Sequence, residues 1–91
     1  MITVTESAKH TLGRALALTG VKDLEIGFRL SAIAPGEYNL VPDSEREGDQ
    51  VVEHEGRKVL LIGDDVYGAL DGKTIDRDES AREPRLVISS E

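Results

Sequence analysis

Few side chains in this sequence have the type and spacing to do chemistry. Its 91 residues include two histidines and no cysteine. That removes a thiol nucleophile, a disulfide framework, a zinc finger and ordinary thiolate ligation of an iron–sulfur cluster. The remaining metal donors are mostly oxygens. Glu37 and Tyr38 follow Pro35-Gly36, and a carboxylate beside a phenol offers oxygen ligands to a hard ferric ion. Their simpler role is a turn residue and a tyrosine half-buried on a sheet. His54 stands between Glu53 and Glu55. Flanking carboxylates make it a candidate metal ligand and a proton-sensitive position, although one histidine without a second placed ligand more simply decorates a surface. His10 falls off the apolar stripe of its segment and is expected in solvent.

Other patterns fail on spacing. Asp76-Arg77-Asp78-Glu79-Ser80 begins like a calcium loop, but Ala81 and Val87 stand where glycine and the closing glutamate belong. Asp64-Asp65 reads as a helix cap plus a dipole partner. No Gly-x-Ser-x-Gly elbow and no Walker or Rossmann glycine loop is present. The expectation is a non-catalytic protein without a cofactor.

The elements around these residues can be read from periodicity. Ile2-Thr3-Val4 predicts a short strand, with Thr5 as N-cap of a helix whose first turn carries Glu6. Ala8, Leu12, Ala15, Leu16 and Thr19 form its apolar stripe, and Gly20 closes it. Leu24, Ile26, Phe28, Leu30 and Ala32 alternate with Glu25, Gly27, Arg29 and Ser31, the pattern of a half-buried strand. Ala34-Pro35-Gly36 breaks it. A short strand over Tyr38–Val41 precedes a polar loop from Pro42 to Gly48. Gln50–His54 and Arg57–Ile62 flank Glu55-Gly56, a hairpin signal. Asp64 would cap a helical turn through Leu70, stopped by Asp71-Gly72. Thr74–Arg77 and Leu86–Ser89 complete the strands, joined by a charged connection containing Pro84. One helix followed by many short strands predicts a single α+β, mostly β domain in which antiparallel pairing dominates.

Composition limits the partners. Eleven Lys and Arg against eighteen Asp and Glu give a net charge of −7, which disfavours nucleic acid and anionic membrane surfaces. There is neither a secretory signal nor an apolar run of the roughly 20 residues that cross a bilayer. A cytoplasmic protein is expected. Phe28, Tyr38 and Tyr67 are its only aromatics, so the core must be aliphatic, and a homodimer would bury more of it.

Several short stretches together carry a resemblance. They are Met1-Ile2-Thr3-Val4-Thr5-Glu6-Ser7-Ala8, Phe28-Arg29-Leu30, Gly48-Asp49-Gln50-Val51-Val52, Gly56-Arg57-Lys58-Val59-Leu60, Leu70-Asp71-Gly72-Lys73-Thr74-Ile75-Asp76 and Leu86-Val87-Ile88-Ser89. In order and near-correct spacing, they resemble the HesB-like, or A-type carrier, proteins of iron–sulfur cluster biogenesis over nearly the whole chain. The resemblance implies a flattened β-sandwich or barrel of short mixed strands with one N-terminal helix. It departs at the chemistry. The family's Gly-Gly-Cys-Ser-Gly turn is replaced by Ala34-Pro35-Gly36-Glu37-Tyr38, about four residues short by that alignment, and the sequence stops at Glu91 before the family's Cys-x-Cys tail. No ligand position carries over. Three functions are expected in turn. The first is an accessory module pairing with a cysteine-bearing carrier or cluster scaffold, the second a scaffold repurposed for a small ligand or an unrelated protein. The third is an oxygen-ligated iron binder using Glu37, Tyr38 and acidic neighbours.

Overall fold

Thr5 opens the first helix as its position predicts: its side chain accepts a hydrogen bond from the Ala8 amide at 3.1 Å. In this computed structural model, residues 2–34, 37–77 and 86–90 are described, without the side chains of Glu37 and Ser90. The Pro35-Gly36 break and the connection around Pro84 lie outside the described residues.

Strand β1 (Thr3–Val4) leads into α1 (Glu6–Leu18). Helix α1 buries Ala8, Thr11, Leu12 and Leu16, with Ala15 half-buried, while Thr19 is exposed as C-cap and donates its hydroxyl to the Leu16 carbonyl. Gly20, at φ +82°, donates to Ala17, and Val21 donates to Leu16. These two bonds make a Schellman close, which needs the left-handed conformation that glycine adopts freely.

Strand β2 (Ile26–Ala34) starts two residues later than the alternation suggests. The Asp23 carboxylate accepts from the Glu25 amide and the Asp23 carbonyl from Ile26. That turn leaves Leu24 57% exposed. At the other end Ala32 is exposed rather than covered. Strand β3 (Glu37–Ser44) runs past the expected end at Val41 and takes Pro42-Asp43-Ser44 out of the predicted loop. It lies at a sheet edge, where a proline lacking an amide is tolerated.

The hairpin of β4 (Gln50–His54) and β5 (Arg57–Ile62) has the predicted bounds. Glu55 and Gly56 have φ of +52° and +79°, the signature of a type I′ turn. Helix α2 (Asp64–Leu70) is capped by Gly63 rather than Asp64, which becomes its first residue. Strands β6 (Lys73–Arg77) and β7 (Leu86–Ser90) follow.

The described strands form two open mixed sheets, ordered β1-β6-β7 and β3-β2-β5-β4, in place of the closed barrel offered as one alternative. Three pairings are antiparallel; β1–β6 and β2–β5 are parallel. The molecule is flattened, 34 × 32 × 22 Å. Its core joins Ala8, Leu12 and Leu16 of α1 to Phe28, Leu30, Leu60 and Ile62 of one sheet, Ile75 of the other, and Val66 and Leu70 of α2. Phe28 is the one aromatic among its buried members.

The β2–β5 pair is close at Gly27. A Cβ built there would stand 3.2 Å from the backbone of Lys58 and Val59. Backbone gives way poorly, so Gly27→Ala is expected to destabilise the fold by about 1–3 kcal/mol. Urea denaturation should show a lower midpoint with an unchanged slope.

Candidate functional site

The structure separates the residues that the sequence offered as a metal site. Tyr38 is half-buried and packs against the core. The side chain of Glu37 lies outside the described residues. His54 is on β4, at the opposite edge of the sheet from β3. Three interstrand steps put the two strands about 14 Å apart. Among the described residues, no three His, Asp or Glu side chains are grouped to hold a metal ion.

His54 instead meets His10. Their rings stand edge to face with centroids 6.3 Å apart. His10 is exposed on α1, as expected, whereas the His54 side chain is only 17% exposed. The two line a half-open cleft of about 240 Å³ with Gly13 and Arg14 of α1 and Glu55 and Arg57 of the hairpin. One helical turn separates His10 from Gly13 and Arg14, so all three lie on one face of α1. The tight turn brings His54 and Arg57 into register as cross-strand partners.

The polar contacts inside this cleft are incomplete. His54 Nδ1 lies 3.6 Å from Glu6 Oε2, and His54 Nε2 lies 3.6 Å from Glu55 Oε1. Both distances are too long for good hydrogen bonds. Nε2 of His54 and Nε and Nη2 of Arg57 are closed to solvent and have no hydrogen-bond partner. Each such group costs about 1–3 kcal/mol when left unsatisfied.

A second polar centre is well paired. The Arg29 side chain, expected on the solvent face of β2, is 15% exposed. Its Nε donates to Asp43 Oδ2 at 2.8 Å, and Nη1 and Nη2 donate to the two oxygens of Asp49 at 2.9 and 2.6 Å. Nη2 also reaches the Ser44 carbonyl, and the Arg46 amide donates to Asp49 Oδ2. The guanidinium holds both carboxyls below their ordinary range, while the aspartates raise Arg29. This network ties the 43–49 segment to β2 and occupies four of the five N–H donors of Arg29. Its role is structural. The sequence signal for it is an arginine in mid-strand followed by aspartates at a turn.

Three solved structures share the architecture. SufA of Escherichia coli, described as involved in biosynthesis of iron–sulfur clusters, matches with a TM-score of 0.73 at 23% identity, over 98% of this chain and 84% of that one. This is the HesB-like, A-type carrier fold. A protein from Aquifex aeolicus matches with a TM-score of 0.72 at 19% identity, over 99% of this chain and 91% of that one. IscA with a [2Fe-2S] cluster matches at 0.62 and 17% identity, over 99% and 85%. No protein-family model and no curated protein matches the sequence. The A-type fold is present here on a sequence of 91 residues without cysteine. Between β2 and β3 only two residues remain, 35 and 36. Among the described residues no helix is long and apolar enough to cross a membrane.

Proposed function

We propose that this protein is a non-catalytic accessory module of iron–sulfur cluster assembly, pairing with a cysteine-bearing A-type carrier or cluster scaffold. The observation behind this reading is the match of nearly the whole chain to SufA combined with the absence of cysteine. A retained framework keeps the surfaces through which such proteins could meet, while cluster ligation through thiolate is lost. The end of β2 offers one such surface. Ile33 sits at the irregularity in the β2–β3 ladder and is 65% exposed. A bulged, apolar strand end is a natural place for a partner to cover.

The test is anaerobic mixing with a cysteine-bearing A-type carrier from the same organism, followed by size-exclusion chromatography with light scattering. A complex with the mass of a mixed dimer is expected, and Ile33→Glu should weaken it about tenfold or more without unfolding the protein. Separate elution, together with an anaerobic pull-down that recovers no cysteine-bearing assembly protein, would overturn the proposal.

A further inference from the structure

The cleft between α1 and the β4–β5 hairpin is electrostatically out of character with the rest of the chain. Acids outnumber bases eighteen to eleven, and several of the basic side chains are held in ion pairs. Arg29 holds Asp43 and Asp49, Arg46 holds Asp43, Lys58 holds Glu25 and Glu45, and Lys9 meets Glu6. Arg14 and Arg57, which both line the cleft, form no ion pair with any described residue. Two of the Arg57 nitrogens and one of His54 are desolvated without a partner. A guanidinium in that condition is a strong donor lacking an acceptor.

The backbone around the cleft also departs from the most stable choices. Gly13 lies in the interior of α1, where glycine costs about 1 kcal/mol relative to alanine. Nothing steric requires it: an added Cβ would make an ordinary 3.6 Å contact with Val59 Cγ1. Its bare Cα widens the cleft. Glu55 is the one described non-glycine residue with positive φ, in a turn position that favours Asn, Asp or Gly. Its carboxylate, 80% exposed, leans toward His54 Nε2 yet stops 3.6 Å away. It is an internal anion poorly seated among the donors.

We propose that this cleft is a binding site for a small oxyanion of the phosphate class, which displaces the Glu55 carboxylate and accepts from Arg14, Arg57 and the two histidines. Two guanidinium groups exclude a cation, and the absence of a three-donor metal group agrees. Donors converging from a helix on one side and a hairpin on the other suit a tetrahedral anion better than a planar carboxylate. A single flat face would be enough for the latter.

The experiment is a titration of the full chain with inorganic phosphate, followed by NMR of the His10 and His54 rings and the Gly13 amide. Sodium acetate at matched ionic strength, about 0.15 M, serves as the second arm, since loose surface attraction is screened there. Saturable shifts at these three residues with a Kd near 1 mM or tighter are expected for phosphate. Arg14→Gln, on the exposed face of α1, should weaken binding about tenfold with the remaining spectrum unchanged. Glu55→Gln should tighten it about threefold. Gly13→Ala should raise Tm while weakening phosphate binding. Shifts that stay linear to about 50 mM phosphate would overturn the proposal. So would Arg14→Gln and Glu55→Gln proteins that titrate like the wild type, or acetate binding as well as phosphate.

Discussion

Arg29→Leu is expected to lower folding stability by about 3 kcal/mol, the low end of what breaking a buried ion pair costs. The loss arises less from the missing guanidinium than from what it leaves behind. Asp49 is 3% exposed and receives two of its three hydrogen bonds from Arg29, so the variant strands a desolvated carboxylate. Asp43, a quarter exposed, can turn to water, which keeps the cost from rising further. For a domain of this size total stability is roughly 5–14 kcal/mol, so the variant forfeits a large share of it. Combining Arg29→Leu with Asp49→Leu removes the stranded charge and should recover most of the loss. Equilibrium urea denaturation of the two single variants and the double variant measures this directly. A double variant no more stable than Arg29→Leu would assign the effect to packing instead.

The same network sets the acid limit of the fold. The Asp43 and Asp49 carboxyls are depressed in the folded protein, chiefly by their hydrogen bonds to Arg29. Asp76 is depressed by the Thr5 hydroxyl and the Arg77 amide. Groups shifted downward stabilise the fold above the unfolded carboxyl value of about 3.9, and this contribution disappears as pH falls toward the folded values. Arg29 is shifted upward and remains charged at any working pH, so it adds nothing to this limb. Stability should therefore fall steeply below about pH 4 in the wild type. In the Arg29→Leu, Asp49→Leu variant the fall should be shallower.

Leu60→Ala should cost about as much or more, near 4 kcal/mol, with Tm lowered by roughly 15–30 °C. Leu60 is fully buried on β5, in register with Phe28 of β2 on one side and Val52 of β4 on the other. The core around it is almost entirely aliphatic, with Phe28 its one buried ring. By contrast, Leu18→Ala should change stability by less than about 0.5 kcal/mol, because Leu18 is 72% exposed. Differential scanning calorimetry on both variants separates these outcomes.

That contrast between leucines also marks how far the sequence could be read. Where residues report their own environment, the reading held: Thr5 as cap, Gly20 as stop, and the two strands around Glu55-Gly56 all follow from local chemistry. It slipped where a distant partner decides. Leu24 fits the alternation of β2, yet the Asp23 turn takes it out of the strand. Pro42-Asp43-Ser44 has the composition of a loop, but pairing with β2 and the reach of Arg29 make it strand. The cleft was the least legible part. His10 and His54 are 44 positions apart and neither has ligand spacing; only the packing of α1 on the hairpin brings them together with Arg14 and Arg57. The resemblance pointed to the fold, and also to the segment from Ala34 to Tyr38 where the sequence departs from the family pattern.

The Thr5 hydroxyl both caps α1 and donates to Asp76 at 2.7 Å, and the Thr5 amide donates to the Ile75 carbonyl. Together with the parallel β1–β6 pair, this makes the start of the first helix depend on residues some seventy positions downstream. During synthesis at about 5–20 residues per second, α1 therefore waits roughly 4–14 s for the strand that anchors it. Until then its apolar face lacks Ile75, and for most of that interval it lacks β5 as well. A nascent chain of this protein thus passes through an exposed interval whose length is set by translation rather than by the intrinsic speed of folding.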